Sequence, residues 1–222
     1  MINEPFIVVF SFYCYACFLK KCSWLGVVER FNVVMPIEFE VKFFVNFVQI
    51  KEKAQNFDGT CIRPRGLMRR FIFSVAGKPE QWIRVRDEGE YVALTLKSFD
   101  SGSSKVIESV RELEVKVSDF DKMIQMLELL GHQKSLYLEN YREVWSVKDC
   151  LVMFDELPGL DPIIEIEGSS QRSVEAVAIL LGLDMNVAMY GPNRLLYEKA
   201  YGIEFNTLRE LTFSCHPGIV KA

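Results

Sequence analysis

Several signatures of common enzyme classes are missing from the 222 residues of this chain. His132 and His216 are the only histidines, and neither has the surroundings of a Ser/His/Asp catalytic set. The glycine-rich phosphate loop Gly-x-x-x-x-Gly-Lys is absent as well. The chain also lacks a strong charge of either sign, since 26 Lys and Arg oppose 30 Asp and Glu. This balance argues against a broad nucleic-acid-binding face, so we expect no nucleic-acid partner.

The cysteines are too few and too scattered for a disulfide framework. Cys14, Cys17 and Cys22 could supply part of a zinc site near the N-terminus. No second Cys/His pair at ligand spacing completes such a site. We therefore expect reduced thiols in a cytoplasmic protein.

A hydrophobic run long enough to cross a membrane is missing. The apolar stretch 6–19 falls short of the ~20 residues that a spanning helix needs. Its N-terminal flank carries Glu4 instead of the basic residues of a secretory signal, so we expect no membrane association. Met35 and Pro36 directly precede the first well-patterned strand, which suggests an extension upstream of the native start. We hypothesise three parts: a hydrophobic N-terminal extension (1–34), a single domain (35–214) and a tail (215–222).

The composition is that of an ordinary globular protein, with half of the residues hydrophobic and a quarter charged. Alternation of apolar and charged residues predicts strands, and capped stretches between them predict helices. The predicted strands are 37–43, 70–75, 82–86, 91–97, 106–117, 136–145, 150–155 and 163–167. The predicted helices are 46–57, 118–131, 169–181 and 193–201. Ser118 is the expected N-cap of the second helix, and a loop rich in Arg, Pro and Gly is expected to run to Leu67.

One strand pattern recurs, and each time a predicted helix follows it. The three occurrences are Glu38-x-Glu40-x-Lys42, Glu112-x-Glu114-x-Lys116 and Glu165-x-Glu167. The repetition indicates two similar halves that close on each other with about eight strands. We therefore predict an α+β fold: an eight-stranded antiparallel closed tunnel, or β-barrel, with helices packed on the outside.

Charged residues are depleted in strands, yet nearly every predicted strand carries them at alternating positions. A solvated outer face would explain one such strand. The charges, however, are segregated: acids lie on the first, fifth, seventh and eighth strands, whereas Arg and Lys dominate the third and fourth. Clustered carboxylates supply ligands for Mg²⁺ or Mn²⁺, and clustered Arg and Lys bind phosphate oxygens. If the charged faces point into a barrel, the ligand that satisfies both walls is a polyphosphate carrying a divalent metal.

The charged positions form an ordered set of motifs: Glu38-x-Glu40-x-Lys42, Arg84-x-Arg86, Leu94-Thr95-Leu96-Lys97, Glu112-x-Glu114, Arg142, Asp155 and Glu165-x-Glu167. Over about residues 35–183 this set resembles the CYTH superfamily, the triphosphate tunnel metalloenzymes. The stretch from Trp82 to Gly89 and the tail from Tyr190 to Phe213 most resemble its branch of class IV adenylate cyclase-like proteins. The resemblance implies that Glu38, Glu40 and Glu167 hold one metal, with Asp155 and Glu165 near a second. The implied triphosphate-binding set is Lys42, Arg84, Arg86, Lys97, Glu112, Glu114 and Arg142.

Two features depart from the pattern of that family. The sixth strand often carries Lys-x-Arg, but this chain has Asn140 two residues before Arg142. The second departure is a cluster of arginines before the third predicted strand, which lies either at a tunnel mouth or on a solvated basic loop. Its members are Arg63, Arg65, Arg69 and Arg70.

The resemblance implies an enzyme that depends on Mg²⁺ or Mn²⁺ and acts on a nucleoside triphosphate or another triphosphate. The favoured activity is conversion of ATP to cyclic AMP and pyrophosphate. The alternatives are a thiamine or inorganic triphosphatase and a non-catalytic module that binds nucleotide or polyphosphate. Lys42 and Lys97 are the candidate catalytic bases, on the condition that neighbouring cations depress their pKa values. The sequence leaves open whether the protein forms a homodimer.

Overall fold

The strands of this protein close into a ring. The computed structural model describes residues 35–99, 107 and 110–220. The strands are β1 Ile37–Phe44, β2 Thr60–Ser74, β3 Gln81–Asp87, β4 Val92–Phe99, β5 Val110–Val117, β6 Lys134–Val147, β7 Cys150–Glu156, β8 Ile163–Gly168 and β9 Glu210–Leu211. Eight of them follow the order β2-β3-β4-β5-β1-β8-β7-β6, and β6 pairs back onto β2. Every pairing within this ring is antiparallel, which confirms the predicted eight-stranded tunnel of an α+β fold.

The described residues form five α-helices: α1 Phe47–Asn56, α2 Phe120–Leu129, α3 Gln171–Leu180, α4 Arg194–Tyr201 and α5 Pro217–Val220. Three of them, α1, α2 and α3, follow the strands that carry the Glu-x-Glu pattern. Asn46 caps α1, and its side chain accepts a hydrogen bond from the backbone N–H of Val48. The cap of α2 is Asp119, which accepts from the N–H of Lys122 at 2.8 Å, so the prediction of Ser118 was wrong by one residue.

The prediction of a loop that runs to Leu67 was wrong, because β2 is a continuous strand of 15 residues. It pairs with β6 from Thr60 to Phe73, and the register shifts between Cys61 and Arg63 and again between Arg63 and Gly66. Such bulges accommodate a proline that cannot donate to the ladder and a glycine without a side chain. The arginine-rich segment therefore belongs to the wall of the ring, and its side chains are divided between the two faces.

Two of the three hydrophobic core groups lie outside the ring, between the strands and the helices, whereas the third packs α4 against the inner face of the ring at Leu136 and Ile163. Along β1, Val41 and Phe43 are buried against the helices, whereas Glu40 and Lys42 point to the other face. One core group joins α1 and α3 to β1, β7 and β8, and includes Ile50, Ala54, Val152, Phe154, Ile164, Ile166, Val174, Val177 and Leu181. A second joins α2 to β2 and β3 through Phe73, Val85, Phe120, Ile124 and Leu127. Because the apolar faces turn outward to the helices, the charged faces turn into the lumen.

Some predictions fall on parts of the chain that the structure does not describe. The N-terminal extension (1–34), its three cysteines and the predicted start of the fifth strand at Val106 lie outside the described residues. The division into extension, domain and tail therefore stays a prediction. Among the helices of the described residues, none combines the length and the apolar character that crossing a membrane requires.

Candidate active site

The inner face of the ring encloses a cavity of about 920 Å³, lined by side chains from all eight of its strands. This volume suits a small-molecule ligand of nucleotide size. Eleven of the predicted site residues line it: Glu38, Glu40, Lys42, Arg84, Arg86, Lys97, Glu112, Glu114, Arg142, Glu165 and Glu167. Asp155, the twelfth, is fully buried behind this surface.

One wall of the cavity is acidic and comes from the neighbouring strands β1 and β8. In their register, Glu40 lies opposite Glu167, and Lys42 lies opposite Glu165. The Lys42 Nζ donates to Glu40 Oε1 at 2.6 Å and lies 3.5 Å from Glu165 Oε2. The pairing of β1 with β8 therefore brings together two carboxylates that are 127 residues apart in sequence (40 and 167), and alternation along each strand puts both on the inner face.

The acidic wall holds more negative charge than its own lysine balances. Burial, with smaller contributions from Glu165 and Glu38, raises the pKa of Glu40 to about 8 despite the charge of Lys42. Burial and the same two carboxylates raise the pKa of Glu167 to about 7. The pKa of Glu165 is lowered, because Lys42 and Arg142 outweigh its burial. A divalent cation would relieve this repulsion.

The carboxylates of this wall fit Mg²⁺ or Mn²⁺, which prefer hard oxygen ligands. The donors that fit are Glu38, Glu40, Glu165 and Glu167. Within the described part of the chain, no three Asp, Glu, His or Cys side chains already have the arrangement of a metal site. In this arrangement lysines hold two of the carboxylates, since Lys42 donates to Glu40 and Lys97 donates to Glu38 at 2.7 Å.

The two lysines do not meet the condition for a general base. Burial alone would lower the pKa of Lys42, but Glu165 and Glu40 outweigh it and raise the pKa. Burial is likewise outweighed at Lys97, whose pKa is raised chiefly by Glu38. Both side chains are therefore cations suited to binding phosphate oxygens, which argues against the predicted role as bases.

The opposite wall is basic and begins with β3. Arg84 Nη2 lies 3.2 Å from Thr95 Oγ1 and 3.4 Å from a carboxylate oxygen of each of Glu112 and Glu114. Arg86 forms an ion pair with Glu88. Both arginines are buried, so their guanidinium groups are held in place before any ligand arrives.

Glu88 is a site residue that sequence reasoning missed. It lies in the turn after β3, lines the cavity and pairs with Arg63 of β2 as well as with Arg86. Its burial would raise its pKa, but Arg86, Arg142 and Arg63 outweigh that effect and lower it. The spacing of Arg84, Arg86 and Glu88 continues the period of two, a signal that could have placed Glu88 on this face.

Asp155 accepts hydrogen bonds from Arg142 on both of its carboxylate oxygens. The Nε and Nη2 of Arg142 donate to Oδ1 and Oδ2 of Asp155 at 2.7 and 2.6 Å, and Asn140 Nδ2 donates to Oδ1 at 2.9 Å. All three groups are buried. Because these bonds engage both carboxylate oxygens, the arrangement favours a role for Asp155 in orienting Arg142 over the predicted role at a second metal.

The arginine cluster of β2 is divided between the two faces of the strand. Arg65 forms a two-pronged ion pair with the partly exposed Glu156, and Arg69 donates to Asp87 at 3.1 Å. Arg63 and Arg70 instead line the cavity. The cluster is therefore neither a solvated loop nor only a tunnel mouth, because half of it belongs to the inner wall.

Comparison with known proteins identifies related sequences. Residues 36–186 match the family profile of the CYTH domain. A protein of Methanocaldococcus jannaschii named "putative adenylate cyclase" is 29% identical over 90 residues, which cover 40% of this chain and 50% of that protein. This chain therefore spans about half the length of the curated relative that it matches.

Solved structures share the architecture. A protein of Pyrococcus horikoshii OT3 is 28% identical with a TM-score of 0.56, over 73% of this chain and 99% of that one. A "putative adenylate cyclase" of Vibrio parahaemolyticus is 12% identical with a TM-score of 0.63, over 74% and 99% of the two chains. At such low identity the second likeness shows the fold alone.

The profile match covers more than half of this chain and contains every residue of the two charged walls. CYTH proteins are typically adenylate cyclases or triphosphatases, and their tunnel enzymes generally depend on a divalent metal. A closed ring of eight strands with opposed acidic and basic inner walls agrees with that match. This chain belongs to the CYTH domain family.

Proposed function

We propose that this protein is a divalent-metal-dependent enzyme that converts ATP into cyclic AMP and pyrophosphate inside the tunnel. The observation that carries the proposal is the cavity in which a carboxylate wall faces a wall of arginines. ATP with its metal presents both the cation and the anionic oxygens that these walls complement. The name of the Methanocaldococcus jannaschii relative favours the cyclase over the triphosphatase.

The cations of the cavity are the proposed triphosphate ligands. Arg84, Arg86 and Arg142 present planar guanidinium groups that suit phosphate oxygens, and Lys42 and Lys97 add point charges. Each is at most 8% exposed and already held by a carboxylate. Hydrogen bonds to phosphate in such a buried site are stronger than in water.

The proposed metal ligands are Glu38, Glu40, Glu165 and Glu167. When bound, the metal supplies charge neutralisation and Lewis-acid polarisation at the phosphate oxygens. Asp155 has a separate task, since it fixes the plane of the Arg142 guanidinium through two hydrogen bonds.

The proposed reaction joins the 3′ oxygen of the ribose to the α-phosphorus. The bond from that phosphorus to the oxygen that bridges to the β-phosphate breaks, and pyrophosphate and a proton are released. The protein contributes by holding the triphosphate in line and by stabilising the charge that develops on the leaving group. Lys42 and Lys97 are suited to the second task, because both stay protonated.

The test is an incubation with Mg²⁺ or Mn²⁺ and three substrates: ATP, thiamine triphosphate and inorganic triphosphate. Cyclic AMP and pyrophosphate would support the cyclase, and free phosphate would establish a triphosphatase in its place. Binding without turnover of any of the three would overturn both and leave a binding module. Glu40→Gln should lower the activity when Mg²⁺ is limiting, whereas Glu156→Gln, which changes a partly exposed carboxylate outside the tunnel, should retain it.

A further inference from the structure

Arg70 is a buried arginine in the tunnel, and two of its nitrogen atoms lack a partner in the part of the chain that the structure describes. It lies on β2 directly opposite Arg86 on β3, and it is 7% exposed. Its Nε and Nη2 make no hydrogen bond, and it joins no ion pair with the residues that the structure describes. Its side chain lines the cavity.

This position is unfavourable for an arginine in the absence of an anion. Like charges directly opposite each other on neighbouring strands destabilise a sheet. Burial together with the charges of Arg86, Arg84 and Arg142 lowers the pKa of Arg70 well below its usual range. Those three arginines each have a carboxylate partner, whereas no carboxylate of the described residues pairs with Arg70.

The ring places Arg70 across the lumen from the carboxylate wall. In the order β2-β3-β4-β5-β1-β8-β7-β6, β2 and β1 are four strands apart in either direction. A ligand in contact with Glu38 and Glu40 of β1 on one side therefore meets Arg70 and Arg86 on the other.

We propose that Arg70 is an additional substrate-binding residue, which together with Arg86 binds a phosphate group of the triphosphate on the side turned away from the carboxylate wall. This inference rests on the proposed function in that the ligand is a triphosphate. The guanidinium groups offer donors in the fork geometry that phosphate accepts. The contact involves only the phosphate chain, so it serves inorganic triphosphate as well as a nucleotide.

The test is a calorimetric titration of the full chain with inorganic triphosphate, in the presence and absence of Mg²⁺. We expect Arg70→Gln to raise the Kd about tenfold or more, the loss typical of a charged hydrogen bond. Arg69→Gln is the matched control, since Arg69 is the neighbouring residue of the same strand but pairs with Asp87 outside the tunnel. It should leave the Kd within about twofold. Equal Kd values for wild type and Arg70→Gln would overturn the inference.

The melting temperature separates a binding role from a structural one. Removing an unpartnered buried cation should leave the Tm of the ligand-free protein unchanged or higher, while the rise in Tm on adding inorganic triphosphate should shrink. A lower Tm without ligand and an unchanged rise with ligand would make Arg70 a structural residue and refute the proposal.

The two hypotheses fail separately. If ATP yields no cyclic AMP but Arg70→Gln still weakens binding of inorganic triphosphate, the inference stands and the cyclase is wrong. If wild type produces cyclic AMP and Arg70→Gln binds triphosphate normally, the cyclase stands and the inference is wrong.

Discussion

Asp155→Asn should destabilise the protein far more than an ordinary surface substitution. Asp155 is completely buried and accepts two hydrogen bonds from Arg142 and one from Asn140. The substitution removes the charge and keeps the shape, so the buried Arg142 loses its principal counter-ion. A buried cation without its partner is one of the larger penalties in a folded protein.

The size of the expected loss in the free energy of unfolding follows from the surroundings of Arg142. Removing one partner of a buried ion pair costs about 3–5 kcal/mol. Glu165 Oε2 lies 3.5 Å from Arg142 Nη2 and retains part of the attraction, so we expect the lower end, about 3 kcal/mol. For a chain of this size that corresponds to a fall in Tm of roughly 6–12 °C.

The assay is urea unfolding at neutral pH, with Asp87→Asn as the control. Asp87 also pairs with an arginine, Arg69, but through a single contact of 3.1 Å near the surface, where such pairs contribute about 0.2–1 kcal/mol. The urea concentration at the midpoint of unfolding should fall clearly for Asp155→Asn and hardly at all for Asp87→Asn. The dependence of the unfolding free energy on urea concentration should be unchanged in both variants. Equal losses for the two variants would refute the reasoning about Arg142.

The same variant decides between two roles for Asp155. If Asp155 orients Arg142, Asp155→Asn raises the KM for ATP and leaves the Mg²⁺ concentration for half-maximal activity unchanged. A metal ligand would show the reverse, a large increase in the Mg²⁺ requirement.

Three further outcomes follow from the tunnel walls. Glu40→Gln should raise the Mg²⁺ concentration for half-maximal activity about tenfold or more, because a carboxylate ligand is lost, and an unchanged Mg²⁺ titration would remove Glu40 from the metal site. Arg86→Ala should raise the KM for ATP about tenfold or more in steady-state assays, and an unchanged KM would exclude a phosphate contact. The pKa of Glu88 is lowered in the folded protein, so its ionised form stabilises the fold. This contribution is fully present at a pH above the unfolded-state pKa of about 4.3, and it is lost as the pH falls through the folded-state pKa. Urea unfolding should therefore show a gap between wild type and Glu88→Gln that is largest at neutral pH and narrows below about pH 4, whereas a constant gap would contradict this titration.

Much of the fold was predictable because it depends on local alternation. Glu38, Glu40 and Lys42 must share one face of a strand whatever the strand pairs with. The Glu-x-Glu strands and the helices that follow them were equally local signals, and all three occur in the structure. The continuous strand β2 was missed because Pro64 and Gly66 are ordinarily turn residues, and only pairing with β6 through bulges keeps them in a strand.

The partners within the site could not be predicted in the same way. Lys97 contacts Glu38 across 59 positions of sequence, and this pair exists because β4, β5 and β1 are neighbours in the ring. Glu88 is drawn into the site by Arg86 and Arg63, which come from two different strands. Such pairs depend on strand order and register, which a single sequence does not encode locally.

The sequence by itself determined that acids and bases lie on the same faces of successive strands, since the period of a strand is two. Only the tertiary structure decided that these faces turn inward, because the helices cover the apolar faces and the ring closes between β2 and β6. Closure also decided which charges are neutralised and which are not. Asp155 is engaged by Arg142, whereas Arg70 faces the lumen without a partner among the described residues, and no local pattern distinguishes the two.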